Sequence, residues 1–184
     1  VKRALYQVIE QHRGPGTIVT SNTSTIPLAR LVEGRDDDFV RHFAITHFFN
    51  PPRQLPLLEL VAGPGTDPSV VEVLTAAGDH QLGKTVLRCR DAPGFLANRI
   101  GNFWMAVAAA EALRGEVDIE TADTVIARHF GTPRTGVFGL FDLVGINLVP
   151  LIWTSFLKLL DDDDAYHRYD ITADPTFTGL LQRG

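Results

Sequence analysis

The sequence is poor in cysteine: Cys89 is the only one in 184 residues. A single thiol excludes an internal disulfide framework and fits a reducing compartment. Positive charge is also short, with 17 Lys and Arg against 22 Asp and Glu. The resulting formal charge of -5 leaves no basic footprint, so nucleic acid is not an expected partner. No charged-then-apolar leader opens the chain, and no apolar run reaches membrane-spanning length, so no membrane association is expected. Internal repeats and Cys/His metal spacings are missing too, and no metal is expected. What remains is 45% hydrophobic and 21% charged, the balance of a globular chain long enough for one ordinary domain or two small ones. These features predict a cytoplasmic protein that handles small molecules.

Two textures follow one another along the chain. In the first, helix and strand alternate. "VKRALYQVIEQHR" has Leu5, Val8 and Ile9 at helical spacing and stops at "GPG"; "TIVTS" is a short β-branched run. "IPLARLVEG" reads as a helical turn or two, "HFAITHFF" and "LLELV" as neighbouring strands, "PSVVEVLTAAGDHQLG" as a helix and "KTVLRC" as a strand. Short apolar strands alternating with helices predict an α/β, doubly wound sheet. From Asp91 onward the pattern is helical. "DAPGFLANRIGNFWMAVAAAEALRG" reads as one helix capped by Asp91 with proline in its first turn, apolar on nearly every face. "VDIETADTVIARHFG" follows, with Asp118 as cap and Gly131 then Pro133 as stop; "GVFGLFDLVG" and "NLVPLIWTSFLKLL" add more helix. "DDDDAYHRYD" reads as a solvated loop, since like charges in a row repel. The predicted boundary gives an α/β part, 1–92, and an all-helical part, 93–184. The α/β part lacks the G-x-G-x-x-G turn that opens a nucleotide-binding domain. It is therefore expected to be the C-terminal half of such a domain, with the first βαβ unit elsewhere. These 184 residues alone are then expected to be inactive, and the helical part is expected to be truncated at its end.

Two ionisable residues stand inside the apolar strands. His47 shares an alternation face with Phe43, Ile45 and Phe49, and Glu59 sits among Leu, Pro, Val, Ala and Gly. A lone buried carboxylate is costly unless it is paired. If the strands are neighbours, Glu59 can accept a hydrogen bond from one imidazole nitrogen and raise the basicity of the other, the geometry of a general acid/base. The alternative is a structural ion pair. "SNTS" supplies Ser21, Asn22, Thr23 and Ser24 after the first strand, either as helix caps or as ligand contacts at a strand's carboxyl end. Asn98, with Asn102 one turn on, stands on a helix of little polar surface, which assigns it an inward polar task. A Ser24–His47–Glu59 hydrolase triad is rejected because no glycines flank a nucleophile elbow.

In order and spacing, "SNTSTIP", "HFFNPP", "LLELVAG", "DAPGFLANR" and "GVFGLFDLVG" resemble the L-3-hydroxyacyl-CoA dehydrogenases, from the first residues to about Ile152 and more loosely to the end. The resemblance implies NAD-dependent oxidation of the 3-hydroxyl of an acyl-CoA thioester, the third step of β-oxidation. It also implies a Rossmann NAD-binding domain followed by a helical substrate and dimerisation domain. It places the family's catalytic histidine on His47, its glutamate on Glu59, and its active-site serine and asparagine on Ser24 and Asn98. It places cofactor contacts on Lys2, Asn22, Ser24 and Asn50. Two departures stand out. The glycine-rich loop and the acidic ribose-binding residue lie outside this chain. "GTPRTGVFGLFDLVG" replaces a Pro-Met-Gly-Pro-like turn and, with the longer "LLDDDDAYHRYDITADP", resembles the dehydrogenase region of multifunctional β-oxidation proteins, which also carry a hydratase domain. The rival readings are another NAD-linked hydroxy-acid or carnitine dehydrogenase on this scaffold, and a non-catalytic assembly module. For assembly, the helix bearing Phe95, Phe103, Trp104, Met105 and Val107 has more apolar surface than one stripe. It predicts a homodimer through the helical part, or docking to a sister domain.

Overall fold

The computed structural model describes residues 2–129 and 134–183. The chain divides into two compact units, Val1–Asn98 and Arg99–Gly184, each with its own apolar core.

In the first unit, α1 (Lys2–His12) is followed by β1 (Val19–Ser21), two short helices α2 (Leu28–Val32) and α3 (Asp37–Arg41), and β2 (Phe43–Phe48). Then come β3 (Leu57–Ala62), α4 (Pro68–Ala76) running into a π-turn over Ala77–Gln81, and β4 (Thr85–Cys89). The four strands lie in chain order in one sheet. β1 runs parallel to β2, β2 antiparallel to β3, and β3 parallel to β4, so the sheet is mixed. The antiparallel pair is a hairpin, and its register sets His47 directly opposite Glu59. All of Phe43 to His47 is buried, so both faces of β2 are covered. On one side Tyr6, Phe39 and Phe43 form a ring cluster, Tyr6 meeting Phe43 edge-on at 5.3 Å between centroids. The Tyr6 hydroxyl donates to Ser21 Oγ at 2.7 Å, tying α1 to the end of β1. Local capping is conventional: Asp36 accepts from Phe39 N at the start of α3, and Asp67 accepts from Ser69 N at the start of α4, where Pro68 costs no hydrogen bond. Lys84 Nζ donates to the carbonyls of Pro52 and Leu55, bracing the hairpin loop against the base of β4.

One sequence expectation fails here. The helix read as starting at Asp91 is α5, Ala97–Arg114, and it starts six residues later. Gly94 and Phe95 both have positive φ, +72° and +50°, which breaks any helix running through them. Asp91 caps a different helix: its Oδ2 accepts from Leu28 N, the first residue of α2, at 2.9 Å. The hydroxyl cluster therefore does not cap α2, although Thr23 Oγ1 accepts from Ile26 N just before it. Phe95, assigned to the apolar stripe of the long helix, instead belongs to the core of the first unit.

The second unit continues α5 and adds α6 (Ile119–His129), α7 (Phe138–Val144), α8 (Val149–Leu159) and α9 (Pro175–Arg183). Asp118 caps α6, accepting from Thr121 N at 2.8 Å; the Gly131 and Pro133 stop lies outside the described residues. Alanines 106, 109, 110 and 112 bring α5 close to its neighbours, while Trp153, Phe141, Phe156, Tyr166 and Phe177 fill the centre. The acidic run is not simply a solvated loop. Asp164 pairs with Arg99 and caps a 3₁₀ turn, Ala165–Tyr169, that buries Tyr166 completely. The hydrogen bond from Tyr166 N, opposed by partial burial, and the Arg99 guanidinium hold the Asp164 carboxyl below its ordinary value. The repulsion expected along the run is thus relieved at its last acid by a cation and a backbone donor. Among the described residues, no single helix is long and apolar enough to cross a membrane.

Candidate active site

Glu59 is completely buried at the centre of β3, and its carboxylate is fully engaged. His47 Nδ1 meets Oε2 at 2.8 Å. Oε1 accepts from the backbone N–H of Ala97 at 2.8 Å and of Leu96 at 3.0 Å, with Cys89 Sγ at 3.8 Å. Burial alone would push this carboxyl up. The hydrogen bonds from His47, Ala97 and Leu96 outweigh it and hold the group below its ordinary value, so it is ionised at neutral pH. An ionised carboxylate can only accept, so Nδ1 must carry the imidazole proton. In the neutral ring Nε2 then keeps its lone pair. The rings of Phe49 and Phe95 meet the imidazole edge-on, at 4.6 and 5.7 Å between centroids, and give it apolar walls. Burial, then the Glu59 charge, raises the Cys89 thiol to about 11, so beside the carboxylate it stays a neutral S–H.

This linkage has a sign. A carboxyl whose folded value is depressed contributes stability that is present above its ordinary value of 4.5 and is lost as pH falls through the folded value. The stability advantage of the wild-type chain over Glu59→Gln is therefore expected to shrink as pH falls below about 4.5. Urea unfolding of the two chains between pH 6 and 3 measures it; a constant difference would mean that Glu59 does not titrate with folding.

The other residues singled out from the sequence fall into two groups. Asn22 is placed at the carboxyl end of β2: its Oδ1 accepts from Phe48 N at 2.8 Å, which fastens the "SNTS" loop one residue beyond His47. Ser24, two residues further on, is half-buried. Asn50 is exposed where β2 gives way to the hairpin loop, just before a cis bond to Pro51. The geometry brings together His47 and Glu59 directly and sets Asn22 and Asn50 at the same strand end. Among the described residues, neither Ser24 nor Asn98 hydrogen-bonds to the pair, and Lys2 stands exposed on α1. Asn98 is half-buried, at the second residue of α5 rather than well inside the helix; Asn102 is buried. Sequence reasoning missed the Leu96 and Ala97 amides and the ring of Phe95. The signal was the Pro93-Gly94 dipeptide, a turn marker that was read as a tolerated helix start.

Comparison with known proteins gives the same answer in both units. Residues 1–92 match the family described as "3-hydroxyacyl-CoA dehydrogenase, NAD binding domain", and residues 94–179 match "3-hydroxyacyl-CoA dehydrogenase, C-terminal domain". The chain is 41% identical over its whole length to a Rickettsia felis protein named "Putative fatty acid oxidation complex trifunctional enzyme", of which it covers 25%. It is 38% identical, again over its whole length, to a Bacillus subtilis "Probable 3-hydroxyacyl-CoA dehydrogenase", of which it covers 23%. The chain thus spans about a quarter of these curated relatives. Among solved structures, FadB2 of M. tuberculosis aligns with all of the chain at a TM-score of 0.84 and 25% identity, the chain covering 61% of it. The 3-hydroxybutyryl-CoA dehydrogenase of Escherichia coli aligns at 0.81 and 27%, with all of this chain and 37% of that one covered. Two matched family domains in the right order, with the paired histidine and glutamate inside the first, lead to one conclusion: this chain belongs to the 3-hydroxyacyl-CoA dehydrogenase family.

Proposed function

We propose that this chain supplies the acid/base centre of an NAD-dependent L-3-hydroxyacyl-CoA dehydrogenase working in fatty-acid β-oxidation. The observation that carries the reading is the 2.8 Å contact between His47 Nδ1 and Glu59 Oε2, which leaves Nε2 as the one basic atom of the pair. His47 Nε2 takes the proton of the substrate's 3-hydroxyl, and Glu59 stabilises the imidazolium that forms; in the reverse direction the imidazolium returns the proton. Ser24 and Asn98 hold the C3 oxygen or the neighbouring acyl group, and alignment of that kind is worth several kcal/mol of barrier. NAD supplies the hydride acceptor when bound. The residues present suit it: Asn22 and Asn50 are exposed amides beside the histidine at one strand end, with Ser24 on the same loop as Asn22, and Lys2 adds an exposed cation. Parts 1–92 and 93–184 are read as the NAD-binding and the substrate and dimerisation domains, and the cytoplasm as the compartment. The test is turnover by the full-length protein of 3-hydroxybutyryl-CoA with NAD, and of acetoacetyl-CoA in reverse. Turnover of carnitine or a small hydroxy acid in their place would reassign the substrate, and none at all would leave an assembly module.

The helical unit also carries exposed apolar surface. Trp104, Val107, Ala112, Val117 and Val125 line a groove of about 530 Å³ between α5 and α6. Elsewhere in the unit Ile100, Leu143 and Leu151 are each more than 60% exposed. We read the groove as an interaction site. The 184-residue chain is expected to self-associate, most simply as a two-fold dimer burying at least about 1,000 Å². Light scattering after size exclusion at micromolar concentration reads this; a 20.2 kDa monomer would favour docking to a sister domain instead.

A further inference from the structure

We propose that the turn leading into α5 is a positioning element for the His47–Glu59 pair: it presents the Leu96 and Ala97 amides to Glu59 Oε1, leaving Oε2 alone to face the imidazole. In a helix running from Asp91, the N–H groups of residues 96 and 97 would be consumed by the carbonyls of residues 92 and 93. The left-handed backbone at Gly94 and Phe95 prevents this and delays the helix to Ala97, so both amides are free to turn outward. A phenylalanine in that conformation is strained, and such strain is found where surrounding structure fixes the residue. Here the Phe95 side chain is buried in the core of the first unit and its ring meets His47 edge-on.

The effect on Glu59 is geometric first. A glutamate side chain has three torsions, and a single hydrogen bond to His47 would leave its carboxylate free to rock. Donors on both oxygens lock its plane and hand one oxygen to Nδ1. The second effect concerns charge. Two neutral amides stabilise the carboxylate as an anion whether or not His47 is protonated. When the imidazole gains the substrate's proton, the glutamate therefore has no cause to take it over, and the pair resets when the proton leaves. The groups that face the carboxylate are His47 from β2, Cys89 from β4 and the two amides of the turn; no other charged side chain among the described residues hydrogen-bonds to it. The part this plays in turnover rests on the dehydrogenase reading above, whereas the hold on the carboxylate does not.

Ala97→Pro is the direct test, because proline lacks the N–H and is accommodated at the first residue of a helix. The readout is the Glu59 carboxyl titration followed by carbon-13 NMR in this chain, with kcat and KM for 3-hydroxybutyryl-CoA measured on the full-length protein. The midpoint is expected to rise in Ala97→Pro, and kcat to fall about tenfold with KM unchanged, the size expected for losing a hydrogen bond to a charged group. Leu96→Ala serves as the control: the side chain is exposed and both N–H donors are kept, so the titration is expected to stay at the wild-type midpoint. If Ala97→Pro does not fold, an ester in place of the Leu96–Ala97 amide removes the same donor without the ring. An unchanged midpoint in a folded variant overturns the assignment even if the wild type is fully active. A raised midpoint supports it even if no version turns over, and in that case only the dehydrogenase reading falls.

Discussion

In the full-length protein, replacing Glu59 by Gln is expected to lower kcat for 3-hydroxyacyl-CoA oxidation by about a hundredfold or more while leaving the fold intact. The substitution is nearly isosteric, and the amide oxygen can still accept from Leu96 and Ala97 in place of Oε1. The amide nitrogen then faces His47 Nδ1 and is itself a donor. Two donors cannot share one hydrogen bond, so the imidazole is driven to the tautomer that protonates Nε2 and leaves Nδ1 to accept. In that form Nε2 has no lone pair for the substrate's hydroxyl proton. The same reasoning makes His47→Ala at least as damaging, about a hundred- to ten-thousandfold, because the base itself is removed. Steady-state kinetics give the loss, and nitrogen-15 shifts of the His47 ring report the tautomer directly. Wild-type-like turnover in Glu59→Gln, with the tautomer switched, would return the pair to a structural ion pair.

Trp153→Ala is expected to destabilise the helical unit by about 3–5 kcal/mol, enough to unfold a marginal domain. Trp153 lies on α8 with 1% of its surface exposed. Its indole meets the Phe141 ring edge-on at 5.8 Å and the Tyr166 ring at 5.7 Å, and Nε1 points to the Tyr169 carbonyl. One side chain thus joins α7, α8 and the 3₁₀ turn that follows the acidic run. Truncation removes the buried indole and leaves a cavity whose walls are other large rings, which cannot collapse into it without leaving their own contacts. The check is urea unfolding followed by far-ultraviolet circular dichroism, where the midpoint should fall with little change in slope. A loss under about 1 kcal/mol would mean that the walls relax into the space and that this core is softer than its packing indicates.

Much of the site was legible in the residues themselves. A carboxylate with no charged neighbour inside an apolar strand needs a partner, because burial without pairing is costly, and a histidine on the apolar face of the strand before it offers one if the two strands are neighbours. The two-part architecture was equally legible, since the hydrophobic period changes near residue 92 and strands do not recur. The start of α5 was not, because Asp91 and Pro93 fit a helix cap and first turn despite the Pro93-Gly94 turn marker, and nothing local shows that Asp91 is engaged 63 residues away with Leu28. The acidic run was legible in part: Asp161 to Asp163 are exposed, as a solvated loop requires, but Asp164 is met by Arg99, which is 65 residues before it. In both cases a local propensity was overridden by a partner that only the folded chain brings within reach. Sequence by itself determined the composition of the buried pair, His47 and Glu59. The tertiary structure decided which imidazole nitrogen faces the carboxylate, because the amides that hold Glu59 in place belong to a turn with left-handed backbone at Gly94 and Phe95, which no helix running from Asp91 would contain.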